Sequence, residues 1–402
     1  MIKFKCSQCE QPLEGEDEQA GVNVQCPACS KNICVPEKTS NSAPPPLKKS
    51  PPPLKPLPSS PPASSEVTEN SQGVMNFIMG KISGCVGVDK IEGFSISEFF
   101  SSVFQKHSIE EVENYFTVGT RLTTPELKDV SAVWPKPWAF FRALAISLLA
   151  YIAFRIGFDE FSGNIKLVPG LIFTGTFAVP LSFLVLFYEV NILRNVSLYQ
   201  VFKLVLIGGV LSLIVCLFFY RWFPVLTNWI GASSAGIIEE AAKILIVIAV
   251  VGWSSKYVFT LNGLLFGAAV GAGFAAFESA GYALEWGLKD VDLMLKVITL
   301  RGILAPAGHI VWTALTAAAL WKVKGNRKFE YSMLFDSRFV RVFIFSAVLH
   351  MLWNSPLTLT GVIRLPYIYD PKYIVLGLIA WVAVFAFMQD GIRQVMQEQA
   401  KI

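Results

Sequence analysis

Charged side chains are scarce in this chain of 402 residues: 16% are Asp, Glu, Lys or Arg, against about one-quarter in a soluble domain. That shortage excludes an ordinary cytosolic enzyme, and a hydrophobic share of 53% excludes global disorder. An excess of one sign is also missing. Lys plus Arg number 34 against 30 Asp plus Glu, and the net charge of +4 is too small to argue for nucleic acid as a partner. Histidine is rare, with 3 residues, so the places where it falls carry weight. No apolar run precedes Cys6 in MIKFKCSQCE, and no secretory leader is read there. Cysteine is nearly absent beyond the N-terminal region: of 7 Cys, only Cys85 and Cys216 lie past residue 34.

What is present at the N-terminus is the spacing Cys6-x2-Cys9 and Cys26-x2-Cys29. Thiolates two residues apart turn onto one ion, and two such pairs complete a closed tetrahedral site. We therefore expect a zinc ribbon over residues 1–39, with structural Zn2+ held by Cys6, Cys9, Cys26 and Cys29 and Cys34 left over. Four thiolates leave no open coordination position, so this ion holds a small fold together and catalyses nothing. Residues 40–71 read as a Pro-rich flexible linker, since Ser40 to Glu66 holds 10 Pro and few apolar side chains. Residues 72–138 read as a small helical cytoplasmic region, with Ser108-Ile-Glu-Glu as a capping box. Ribbon and linker together suggest a cytoplasmic partner.

Beyond Trp134-Pro-Lys-Pro-Trp138, whose indoles suit a membrane interface, apolar runs long enough to cross a bilayer follow one another. We expect eight, near 139–157, 167–189, 199–220, 231–252, 261–285, 297–320, 339–358 and 372–389, with 391–402 as a cytoplasmic tail. The expected fold class is thus an all-α polytopic membrane protein of about eight transmembrane helices with an N-terminal ribbon, its core spanning 139–390. Lys and Arg favour one set of connections, with Arg194, Lys256, Lys322, Lys324, Arg327 and Lys328 on one side and few basic residues on the other. The positive-inside rule then puts both termini in the cytoplasm, which also keeps the ribbon thiols reduced.

Chemistry is sought among ionisable residues that a bilayer should expel, each costing roughly 2.5 to 3.5 kcal/mol at mid-membrane. GIIEEAAKILIVIAVV carries Glu239, Glu240 and Lys243; GAAVGAGFAAFESAGY carries Glu278 one turn after Phe274. RGILAPAGHIVWTAL brings Arg301 and His309, with Pro306 loosening the helix between them, and FSAVLHMLWNSP brings His350 and Asn354 on one face. Three carboxylates and two imidazoles in a partly wet cavity can polarise water, as general bases or as ligands of a metal. Buried Glu and His also suit an ion or proton path, although no internal repeat of the transporter kind is visible. A bland reading pairs Glu239 with Lys243 at i and i+4 and makes each His a packing residue.

These motifs, in this order and each within a membrane segment, resemble intramembrane proteases of the PrsW type, relatives of the CAAX-processing and bacteriocin-processing membrane proteases. The resemblance spans roughly 139–388, and Glu278 stands where the CAAX enzymes usually have His. It implies a multi-pass protein of a bacterial-type inner membrane that hydrolyses a peptide bond of a membrane-protein substrate, such as an anti-sigma-factor-like regulator, in or beside the bilayer. It also implies that Glu239, Glu240, Glu278, His309 and His350 form the catalytic group, with Lys243, Phe274, Arg301 and Asn354 in support. Whether these residues act alone or around a divalent ion stays open, with Zn2+ the favoured ion. An inactive relative acting as a membrane adaptor is the remaining alternative.

Replacing Cys6 and Cys9 together by Ser should remove one equivalent of zinc per chain, read by elemental analysis of the purified protein, and leave the activity of the membrane core intact. Undiminished zinc would rule out the ribbon.

Overall fold

The computed structural model describes residues 2–5, 12–15, 23–26, 32–34, 65–360 and 370–402, which fall into two compact units, Met1–Ala63 and Ser64–Ile402. In the first unit β1 (Ile2–Lys5) pairs antiparallel with β2 (Pro12–Gly15), and β3 (Asn23–Gln25) with β4 (Asn32–Cys34). Cys26, directly after β3, is buried. Cys6, Cys9 and Cys29 lie outside the described residues, as does most of the Pro-rich linker.

The second unit is helical. Its pre-membrane part holds α1 (Ser65–Val86), α2 (Ile96–Phe99) and α3 (Ile109–Phe116). Ser108 accepts from the Glu111 amide and the Glu111 side chain accepts from the Ser108 amide, so the capping box read from the sequence starts α3. The long helices are α4 (Ala139–Glu160), α5 (Val168–Val190), α6 (Leu198–Lys203) continued through a π turn into α7 (Gly209–Trp222), and a short α8 (Pro224–Ile230). They go on as α9 (Ala235–Val247), α10 (Thr260–Gly287), α11 (Val291–Leu304), α12 (His309–Lys324), α13 (Ser337–Asn354) and α14 (Pro371–Gln399).

Among the described residues six helical stretches are long and apolar enough to cross a membrane: 139–160, 165–190, 198–222, 260–287, 291–324 and 371–399. The chain is accordingly an integral multi-pass membrane protein. The sequence-based count of eight exceeds this by the segments near 231 and 339. Both are helical, as α9 and α13, but Glu239, Glu240 and Lys243 fall within five residues of α9 and lower its apolar character. In α13, Arg338, Arg341 and His350 dilute the apolar run. The sixth predicted crossing is interrupted at Ala305–Ala307, around Pro306, which divides α11 from α12.

At the centre stands α10, buried at every position from Thr260 to Ala276. Small residues permit this. A Cβ on Gly263 would lie 2.6 Å from the Ala317 carbonyl oxygen, one on Gly267 would lie 2.7 Å from Cα of Ala314, and one on Gly271 would lie 3.0 Å from Cα of Ile310, so α12 rests on α10 backbone to backbone. On the other flank Gly273 meets Val205 and Gly209 at the π turn before α7.

Two polar devices lock the ends. Glu189, a buried carboxylate that the sequence reading passed over, accepts the amides of Trp138, Ala139 and Phe140 at 2.8, 2.9 and 2.9 Å, supplying the acceptors that the first turn of α4 lacks. The end of α14 is clasped by the pre-membrane part: Arg393 bonds Asp89 (2.8 Å) and Glu92 (2.7 Å), and Gln399 donates to the carbonyls of Leu127 and Val130. Residues read as a tail are therefore the last turns of a packed helix, with Val395 fully buried.

Gly267→Ala should destabilise the protein by about 1 to 3 kcal/mol, because the α12 backbone cannot yield to a methyl group. Gly281→Ala, on the same helix with nothing within 4 Å of the added carbon, should be neutral or slightly stabilising. Unfolding in detergent reads both.

Candidate active site

Five helices bring the intramembrane charges together, and the break before α12 gives His309 its place at that helix's first position. Along α9, Glu239 and Glu240 sit four and five residues after the start; along α13, His350 sits four residues before the end; along α10, Glu278 sits nine before the end. At about 1.5 Å per residue these are depths of about 6 to 13 Å from the same helix ends, those on the side of the start of α14 and away from its end. The residues surround a cavity of about 530 Å3 lined by Tyr220, Glu239, Glu278, Arg301, His309 and His350 among others.

Glu240 is 1% exposed and its oxygens are fully engaged. Lys243 donates to Oε1 at 2.6 Å, His350 Nδ1 lies 3.1 Å from the same oxygen, and Thr313 donates to Oε2 at 3.2 Å. Lys243 thus pairs most closely with Glu240 at i+3, and the i and i+4 pair with Glu239 read from spacing is present at a longer 4.0 Å. The Lys243 ammonium also reaches His309 Nδ1 at 2.9 Å and stands 4.4 Å from the Phe274 ring centroid.

Glu278 has its own cation. Arg301 donates to Glu278 Oε2 through one amino nitrogen and to Ser279 Oγ through Nε at 2.8 Å, and His309 Nε2 lies 3.1 Å from Glu278 Oε2. Phe274 packs edge-on against the His309 ring, with centroids 4.9 Å apart.

Glu239 is the exception. Its Oε1 accepts from Tyr220 at 3.2 Å, but its Oε2 is buried with no hydrogen-bond partner among the described residues. With Glu240 matched by Lys243 and Glu278 by Arg301, Glu239 has a cation only at 4.0 Å, and the cluster sets three carboxylates against two fixed cations. Two ring nitrogens face it: His309 Nδ1 at 3.9 Å and His350 Nε2 at 3.8 Å.

Hydrogen bonding fixes which nitrogens are free. Against a carboxylate the His350 Nδ1 carries the proton, so Nε2 keeps its lone pair and points at the idle oxygen of Glu239. That is a carboxylate-oriented imidazole, the arrangement that prepares a His to ligate a metal. Glu239, His309 and His350 each offer a ligand atom within 4.8 Å of one another. Ligands about 2.1 Å from a tetrahedral ion stand about 3.4 Å apart, so an inward movement that also displaces Lys243 from His309 Nδ1 closes this triangle on an ion. An orphaned buried carboxylate oxygen, an oriented imidazole and an excess negative charge all fit a divalent cation.

The structure thus gathers Glu239, Glu240, Glu278, His309, His350, Lys243, Phe274 and Arg301, and places Asn354 in the cavity wall. Sequence reasoning missed Tyr220, Ser279, Thr313 and Trp312, whose ring stacks on His350 with centroids 4.3 Å apart. Helical spacing could have pointed to Trp312 and Thr313, three and four residues after His309, but nothing local ties Tyr220 to Glu239.

Residues 197–388 match the family described as the PrsW family of intramembrane metalloproteases, a match that takes in every residue of this cluster and leaves α4 and α5 outside. No curated protein and no solved structure matches the chain.

Glu240→Gln should weaken divalent-metal binding by about 10- to 100-fold without touching a ligand atom, because the His350 ring loses its orienting carboxylate. Competition with a chromophoric chelator on the purified protein measures it, and unchanged affinity would remove Glu240 from the site.

Proposed function

We propose, from the premise that residues 197–388 are of the PrsW type, that this protein is an intramembrane endopeptidase that cuts a membrane-protein substrate in or beside its membrane segment. The observation that carries the proposal is the pairing of a buried, partnerless Glu239 Oε2 with two ring nitrogens at the wall of a cavity large enough for a peptide segment. A chain kept only for stability would give that oxygen a donor.

In this reading Glu239, His309 and His350 would hold a divalent ion, with Zn2+ suited to such a mixed N and O set. When bound, that ion supplies Lewis-acid activation of water and of the scissile carbonyl. The chain's own residues do the remainder. The Tyr220 hydroxyl steadies Glu239 through its other oxygen, which leaves Oε2 to face the ion. Glu240 fixes the His350 tautomer, and Lys243 neutralises Glu240 while holding His309 in register. Glu278, held by Arg301, which Ser279 positions in turn, accepts from His309 Nε2 and orients that ring as Glu240 orients His350. Asn354, in the cavity wall, presents an amide that can steady the oxyanion.

The placement of the cluster nearer one end of the bundle supports cleavage toward that face of the bilayer rather than at its midplane. The domain reading carries over as part of the proposal: a zinc ribbon over 1–39 and linker over 40–71 serve regulation or docking, and the protease core is 139–390. With termini in the cytoplasm, the cutting face is the non-cytoplasmic one. A membrane-bound, anti-sigma-factor-like regulator is the proposed substrate class.

Glu239→Gln should abolish cleavage while leaving abundance and membrane insertion at wild-type levels. Comparing membrane proteomes of cells carrying either form should reveal a single-pass protein that accumulates intact and loses its truncated product only with the variant. Equal proteomes under several stresses, with both proteins equally abundant, would overturn the proposal.

A further inference from the structure

A second cavity, of about 460 Å3, lies at the other end of the bundle, between residues 115–136 and the end of α5 with the turn that follows it. The acid cluster lines none of it. Its wall is largely apolar, with Val118, Val130, Trp134 and Ile192, and its volume is in the usual range for a bound small molecule.

Two polar groups in this wall are unspent. Tyr188 is 7% exposed, stacked on Phe116, and its hydroxyl has no hydrogen-bond partner among the described residues. Arg194 is held by Tyr115: one amino nitrogen donates to the Tyr115 carbonyl at 2.7 Å, and the guanidinium carbon stands 4.4 Å from the Tyr115 ring centroid. No carboxylate among the described residues pairs with it, and most of its five donors remain to be used. The backbone of Arg194 is in the left-handed region, φ 48°, which a long side chain adopts only where its surroundings hold it there.

The acidic residues of the wall do not cancel this cation. Glu189 spends its oxygens on the amides that begin α4 and on the Tyr115 hydroxyl, and Asp129 is exposed to water. Lys136, the other cation at the cavity, is paired with Glu98 at 3.1 Å. What remains is a guanidinium and an idle hydroxyl beside an apolar wall, with Tyr188 two residues before the end of a membrane helix and Arg194 four residues after it.

We propose that this cavity binds an anionic phospholipid, its phosphate taking hydrogen bonds from Arg194 and Tyr188 and its apolar part lying along Val130, Trp134 and Ile192. Planar guanidinium and phosphate match two donors to two acceptors, and phosphate at this level is what a bilayer interface presents. Inorganic phosphate shares the headgroup chemistry and lacks the apolar part, so the two sources separate experimentally.

The test is thermal unfolding of the full chain in neutral detergent micelles with added phosphatidylglycerol, phosphatidylcholine or inorganic phosphate. Phosphatidylglycerol should raise the midpoint by about 3 °C or more over phosphatidylcholine. Arg194→Gln and, independently, the milder Tyr188→Phe should each erase that difference, whatever they do to the starting midpoint. The proposal fails if phosphatidylcholine acts as strongly, if inorganic phosphate alone gives the full rise, or if the phosphatidylglycerol effect survives in both variants.

Discussion

The fully buried ion pair of Glu240 and Lys243 is the contact from which the rest of the cluster takes its arrangement. Neither side chain reaches solvent, and removing one member of such a pair strands a charge at a cost of about 3 to 5 kcal/mol. Satisfying it requires further partners, and the structure draws them from distant helices: Thr313 and His309 on α12, His350 on α13. Each partner has a second valence. His350, fixed through one nitrogen, is left with the other free toward Glu239, and His309, fixed by Lys243, is passed on to Glu278 and so to Arg301. A stability requirement thereby creates a directed chemical site, since satisfying Glu240 leaves Glu239 without a donor for one oxygen.

Such a network tolerates little positional error, and the packing of α10 supplies the rigidity. Glycines at 263, 267 and 271 bring the α12 backbone into direct contact, which sets the distance between Glu278 and His309. The break at Ala305–Ala307 lets α11 and α12 take different directions, so that Arg301 and His309, eight residues apart, approach the same carboxylate oxygen from two sides. Further away, Glu189 caps α4 and the pre-membrane residues Asp89 and Glu92 clasp Arg393, tying the ends of outer helices without bringing charge near the site.

A good part of this was legible in the chain. Apolar runs of the right length announce most of the helices, and the insertion penalty makes each Glu, His or Arg within them conspicuous. Glu239, Glu240, Glu278, Arg301, His309 and His350 were all visible on that ground, and they do converge. Glu189 escaped notice because its partners are backbone amides fifty residues earlier, which no side-chain pattern records. Tyr220 and Ser279 escaped because a hydroxyl in a helix is ordinary until its partner, Glu239 for one and Arg301 for the other, is found on another helix. The eight apolar runs read from the sequence are all helical, and α9 and α13 fall outside the six long apolar stretches because they carry the charges of the cluster and its flanks.

By itself the sequence determined that this protein is a helical membrane protein and which ionisable residues it carries into the bilayer, because hydrophobic length and charge cost are local properties of the chain. Only the tertiary structure decided how those charges divide. At i+3 and i+4, Lys243 could serve either glutamate of α9. The choice of Glu240 depends on His350 and Thr313, 110 and 73 residues further along, and it leaves Glu239 to face the two imidazoles. Pairing in a low-dielectric interior is a competition among all the neighbours the fold supplies, and no stretch of sequence contains them all.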